Sequence, residues 1–179
     1  MFLYHRKRAD MQGNILYPLN TLKDIHPELF NELVRKYGGR EWILTGKIPK
    51  LDCLWNDVIH MTAVSPFDIR DALLEAGHEL KNFKWFKIPV ESLDPKNLIV
   101  YLYKEKMVGK KTIDPSEFED FDMNKMEEYG EIGDGTKKYF KEKIQNNEDP
   151  MMFHMIPHIL YKGTIDISNI ELISTYQEK

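Results

Sequence analysis

A chain of 179 residues, 42% of them hydrophobic and 12% aromatic, falls within the usual range of one domain and can bury a substantial core. Its 25 Lys and Arg stand against 29 Asp and Glu, a formal charge of −4, so no global basic field favours nucleic acid as a partner. A lone cysteine, Cys53, excludes an intramolecular disulfide and fits a reducing compartment. The expectation is one globular domain over 1–179 in the cytoplasm. The opening Met1-Phe2-Leu3-Tyr4-His5-Arg6-Lys7-Arg8 turns basic too early for a signal peptide. No run approaches the roughly 18 apolar residues of a spanning helix, so no membrane role is expected.

Phe2 to His5 predicts a first strand that delivers His5 and Arg6 to its end. Gly13-Asn14 turns the chain into a short strand at Ile15 to Tyr17, which Pro18 ends. A helical turn is expected over Thr21 to Ile25. Pro27 then opens a helix over Glu28 to Tyr37, where Phe30, Leu33, Val34 and Tyr37 recur at helical spacing and predict one buried face before Gly38-Gly39. Arg40 to Leu44 is compatible with a helical turn or a strand, and Gly46 to Pro49 reads as a break. Val58 to Val64 predicts a central strand buried on both faces. Ser65-Pro66-Phe67-Asp68 supplies a cap, a proline at the first helical position and an early acid for a helix that Gly77 ends, with Phe67, Ile69, Leu73 and Leu74 along it.

Trp85 to Val90 and Leu98 to Tyr103 read as two strands, adjacent or joined as a hairpin. Their interleaved aromatics and lysines could stack bases, but half-buried strands favour the same residues. Lys104 to Lys111 is basic, and the segment 114–134 carries nine acids, a polar and mobile part of the chain by composition. Helices are expected over Met123 to Tyr129 and Thr136 to Ile144, the second capped by Asp134 or Thr136. Met151 to Met155, His158 to Tyr161 and Ile170 to Ile173 close the chain as short strands. This order predicts an α+β domain with a mixed, mostly antiparallel sheet covered by three to five helices.

Three groups of polar residues interrupt apolar runs: His5 and Arg6; Asp52, Trp55, Asn56, Asp57, His60 and Thr62; and His154, His158 and Tyr161. If the strands that carry them are neighbours, these side chains converge on one cleft. A period of two places His60 and Thr62 on the same strand face, where polar groups need partners, whether a ligand or backbone carbonyls. Asp52, Asp57, His60, His154 and His158 lack metal-ligand spacing, and Pro157 breaks the face that His154 and His158 would share on a helix, so no metal is expected. Flanked by Asp52 and Leu54, Cys53 reads as an inert thiol. No Gly-x-Gly-x-x-Gly, P-loop or nucleophile elbow is present.

Tyr4-His5-Arg6 in an opening strand, His60-Met61-Thr62 in a middle strand with Ser65-Pro66 behind it, and a closing Phe153 to Leu160 followed by Ile165 to Ile173 together resemble the layout of small ADP-ribosyltransferase-like proteins. The resemblance implies a split sheet gripping NAD, with His5 or Arg6 at the ribose or phosphate. The family's closing strand presents a glutamate; here that stretch offers His154, with Glu148 in the loop before it. The leading expectation is a nucleotide-sized cleft, with NAD the implied cofactor. His60 and His154 would act on an acceptor, and His5, Arg6, Trp55, Asn56, Asp57, Thr62, His158 and Tyr161 would bind substrate, in a transferase or a catalytically degenerate relative. The competing expectation is a non-catalytic module that docks a protein partner through the acidic segment 114–134.

Overall fold

The computed structural model describes residues 1–9, 11–79, 82–104 and 112–176, so most of the basic run at 104–111 lies outside the described residues. Among the described residues eleven strands are present in chain order: β1 (Phe2–Arg6), β2 (Ile15–Leu16), β3 (Lys47–Ile48), β4 (Cys53–Leu54), β5 (Ile59–Met61), β6 (Lys84–Pro89), β7 (Leu98–Tyr101), β8 (Phe118–Asp120), β9 (His158–Tyr161), β10 (Ile165–Asp166) and β11 (Glu171–Ser174). Five α-helices accompany them among the same residues: α1 (Leu22–Ile25), α2 (Pro27–Val34), α3 (Pro66–Glu75), α4 (Met126–Tyr129) and α5 (Asp134–Gln145). All strand pairs among the described residues run antiparallel, and the fold is α+β.

Two main sheets carry the structure, one ordered β1-β6-β11 and the other β5-β9-β7-β8. They meet edge to edge at one residue pair, where Tyr4 and Thr62 exchange backbone hydrogen bonds of 2.8 and 3.0 Å. The result is a sheet split between β1 and β5. Side-chain alternation distributes the core to either side of it. In β9, Ile159 joins the apolar cluster that spans both sheets through Leu3, Met61, Ile88 and Val100, whereas Leu160 joins Ile48, Trp55, Ile99 and Tyr101 on the opposite face. Under α3 and α5, Val64, Ile69, Trp85, Phe140 and Ile156 form a third cluster. Ser65 caps α3 by accepting from the Phe67 amide at 3.3 Å, and Gly77, at φ +90°, lets the chain leave it. No helix of the described residues is long and apolar enough to cross a membrane.

Several sequence expectations change in detail. β6 and β7 are neighbours in the chain but belong to different sheets, because β6 pairs with β1 and β11 while β7 pairs with β8 and β9. Met151 to Met155 is a turn, its apolar residues serving the core without any strand partner. The expected helix through Tyr37 tightens to a 3₁₀ turn at Arg35–Tyr37, and α2 has no buried residue. β3 occupies the expected break at 46–49. α5 starts at Asp134 after Gly133, so neither Asp134 nor Thr136 caps it; Thr136 is buried and donates to the His154 carbonyl at 3.0 Å. Leu74 is 44% exposed on α3.

Ile159 is fully buried at the centre of the seven-strand arrangement. Ile159→Ala is expected to lower unfolding stability by about 2–5 kcal/mol, whereas Leu74→Ala stays within about 0.5 kcal/mol. Urea unfolding of the two variants against the parent checks the contrast.

Candidate functional site

The three-residue 3₁₀ turn Trp55–Asp57, between β4 and β5, is a hub of hydrogen bonds. Its Trp55 amide donates to the Gly46 carbonyl at 2.8 Å, where the chain passes so close to Ile113 that a Cβ on Gly46 would collide with that side chain. The Asp57 carboxylate accepts from the Leu54 amide and from Asn20 Nδ2, both at 2.7 Å. The Asn56 carbonyl accepts from the Asn20 amide at 3.0 Å, and Asn56 Oδ1 accepts from the Tyr37 hydroxyl at 2.7 Å. Asn20 precedes α1 and Tyr37 follows α2, so this turn holds both ends of the helical pair. Asn56 Nδ2 is buried with no hydrogen-bond partner among the described residues, a cost of about 1–3 kcal/mol borne at the turn.

Beneath that helical pair lies a cavity of about 1080 Å³. The helices roof it with Leu22, Ile25, Leu29 and Leu33. This explains why α2 is amphipathic yet has no buried residue: its apolar stripe faces open space. The floor consists of Trp55, Val58, Ile59 and His60 from the turn and β5, together with Tyr103, Phe153, His154 and His158. His5 and Arg6 reach it from the end of β1. A split sheet opens at its seam, and the cavity lies against that seam.

Backbone carbonyls fix the tautomers of two floor imidazoles. A carbonyl only accepts, so His5 donates its Nδ1–H to the His60 carbonyl at 2.8 Å and His60 donates its Nε2–H to the Trp55 carbonyl at 3.0 Å. Each ring therefore keeps one bare nitrogen, Nε2 on His5 and Nδ1 on His60. Burial, reinforced by neighbouring His158, pushes His60 down to about 3, and burial pushes His158 down to about 4. His5 is lowered for the same reason, with Lys36 and Arg8 adding to it. All three are neutral near pH 7. His154 is more deeply enclosed: its ring stacks on Tyr139 at 3.7 Å between centroids, and Nδ1 lies 3.2 Å from the Tyr103 hydroxyl.

The cavity wall also carries Arg6, Arg8, Lys36 and Arg40 against the carboxylates of Glu28 and Glu32. Lys36 and Arg40 form no ion pair among the described residues. Lys36 is held below its ordinary value by burial first, then by the charges of Arg8 and Arg40. Tyr37, buried beside them, has its phenol pushed up to about 12. The Arg6 guanidinium lies 4.0 Å over the Phe83 ring, which holds its plane at the cavity edge.

Of the residues singled out in the sequence, His5, Arg6, Trp55, Asn56, His60, His154 and His158 line one cavity. Asp57 does not; its oxygens are occupied in tying down the roof. Thr62 does not either: it is 1% exposed and its hydroxyl accepts from the Val64 amide at 3.0 Å. Tyr161 packs half-buried against the spanning apolar cluster, away from the cavity. Asp52 is exposed in a turn at φ +44°, and burial raises the Cys53 thiol. No group of three or more His, Cys, Asp or Glu among the described residues is arranged to hold a metal ion. Sequence reading missed Lys36, Tyr37, Arg40 and Tyr103, which stand at the ends of elements where charge and aromaticity look like ordinary surface and core.

The acidic segment is folded rather than free-standing. Asp114 and Asp122 cap 3₁₀ turns, Glu117 is buried, Glu119 accepts from Lys125 and from Tyr129, and Asp120 pairs with Lys50 at 2.7 Å. Glu148, in the loop before the closing stretch, pairs with Lys143 on α5 and does not line the cavity. No protein-family model matches this chain, and no curated protein or solved structure matches it.

Stability is expected to fall on acidification. In the unfolded chain His60 returns to 6.5, so between that value and about 3 the unfolded state binds a proton that the folded state refuses. The loss begins below 6.5 and reaches about 2 kcal/mol near pH 5 for this residue. His60→Gln, which keeps a donor for the Trp55 carbonyl, flattens the fall by that amount in urea unfolding at pH 7 and pH 5. A slope unchanged by the substitution contradicts the assignment.

Proposed function

We propose that this chain is a nucleotide-binding domain of the ADP-ribosyltransferase-like kind, with NAD or ADP-ribose seated in the cavity at the sheet seam. The observation that carries this reading is a cavity of about 1080 Å³ in which Lys36 and Arg40, with no ion pair among the described residues, stand over an aromatic floor. That volume lies at the upper end of small-molecule sites and suits a dinucleotide. Like charges gathered in one wall repel, and a phosphate bound between Lys36 and Arg40 relieves that repulsion. Arg6 offers a planar donor at the edge, and Trp55 and the imidazoles offer ring faces.

The same chemistry argues for binding without turnover. A histidine whose conjugate acid lies near 3 is a poor base at neutral pH, so the bare His60 Nδ1 serves as a hydrogen-bond acceptor that orients the ligand. Among the described lining residues the only carboxylates, Glu28 and Glu32, are on the roof, so the floor has none to steady a sugar cation. His154, stacked on Tyr139 and bonded near Tyr103, is a positioning residue for the floor rather than a group that meets the ligand. The acidic segment, with much of its charge engaged internally, has less to offer a protein partner.

Thermal-shift titration tests the reading. NAD or ADP-ribose at about 100 times its dissociation constant stabilises the fold by about 2.7 kcal/mol, a rise of roughly 5–10 °C for a domain of this size. The rise disappears in His60→Ala. No response to any nucleotide overturns the proposal, and release of nicotinamide from NAD by the purified protein overturns the claim of binding without turnover.

A further inference from the structure

The cavity segregates its charge. Its cations come from the end of β1, the segment after it and the end of the roof, as Arg6, Arg8, Lys36 and Arg40. The floor carries no formal charge and is electron-rich. There His158 is ringed by His60 at 6.0 Å, Trp55 at 6.4 Å, Tyr103 at 5.6 Å and Phe153 at 6.2 Å between centroids. Trp55 and His60 are 4.8 Å apart. Phe153, His60 and His158 are only partly buried, so this cluster opens on the cavity.

We propose that the floor formed by Trp55, His60, Phe153 and His158 is a subsite for a ring-borne or quaternary cation, so that the cavity selects zwitterions in which such a cation is joined to phosphate. Aromatic faces attract cations through their quadrupole, and the attraction grows where water is excluded. The bare Nδ1 of His60 adds a lone pair to the same surface. Burial keeps these imidazoles neutral, so the floor is uncharged at neutral pH. Lys36 acts on both His5 and His60, so a lone cation gains little here. A ligand that brings its own negative charge to Lys36 removes that opposition. A plain anion, in turn, satisfies the cations and leaves the floor unused.

The inference rests on the nucleotide reading for its first probe and stands apart from it for its second. Oxidised NAD carries a pyridinium and reduced NAD does not, with nearly the same shape. Titration calorimetry on the full chain near pH 7 is expected to show oxidised NAD binding about 10- to 30-fold more tightly than the reduced form. Phe153→Leu, and Trp55→Leu if it folds, bring that ratio toward unity. Equal affinity of the parent protein for the two forms overturns the inference and leaves nucleotide binding intact. If neither form binds, the nucleotide reading fails and phosphocholine decides: binding of phosphocholine over choline and over inorganic phosphate supports the subsite, and no difference among the three overturns it.

Discussion

The turn Trp55–Asp57 is the constraint on which the rest of the site depends. A 3₁₀ turn exposes backbone carbonyls and amides that a strand would spend on its neighbours. Here those groups are spent across the fold: on Gly46, on Asn20 before the roof and, through the Trp55 carbonyl, on the imidazole of His60. The side chains of Asn56 and Asp57 complete the clasp to Tyr37 and Asn20. One short turn thereby fixes the height of the roof, the tautomer of a floor histidine and the position of Trp55. Roof and floor are set by the same few atoms.

The seam supplies the other half of the arrangement. Tyr4 and Thr62 make the single backbone pair that joins the two sheets, and His5 adds a side-chain bond to the carbonyl of His60 across the same gap. A continuous ladder there would pair every polar group and leave no opening. A single pair holds the sheets together while their edges diverge. The imidazoles of His5 and His60 are therefore structural and line the cavity at once: in each, one nitrogen is held by a backbone carbonyl and the other is left bare. The partition follows from the two-nitrogen chemistry of histidine and does not require a choice between a core role and a site role.

Much of this was legible in the sequence where a polar residue stood in an apolar run. His5, His60 and His158 stand out at the edges of short strands, and their convergence needed only that β1, β5 and β9 be neighbours. The Ser65-Pro66 helix start was visible because capping is a local matter. Other features were not local. Thr62 was grouped with His60 by a period of two, but its buried hydroxyl is taken by the Val64 amide. Asp57 looked like a ligand-binding acid, but its carboxylate is taken by the nearby Leu54 amide and by Asn20, 37 residues away in the chain. Lys36 and Arg40 flank a Gly-Gly helix end where nothing local marks them out; only the roof's placement brings them to the cavity. Met151 to Met155 has strand composition, and its lack of a pairing edge is a property of the whole sheet.

The central claim is that side chains from the beginning, the first third and the end of the chain meet one ligand. Imidazole nitrogen NMR on the ¹⁵N-histidine-labelled protein, titrated with ADP-ribose and NAD, tests it most directly. The account predicts that the resonances of His5, His60 and His158 shift together along one saturation curve while His78, which does not line the cavity, stays in place. Saturating ligand that leaves those three unmoved, or shifts them with separate affinities, would contradict it.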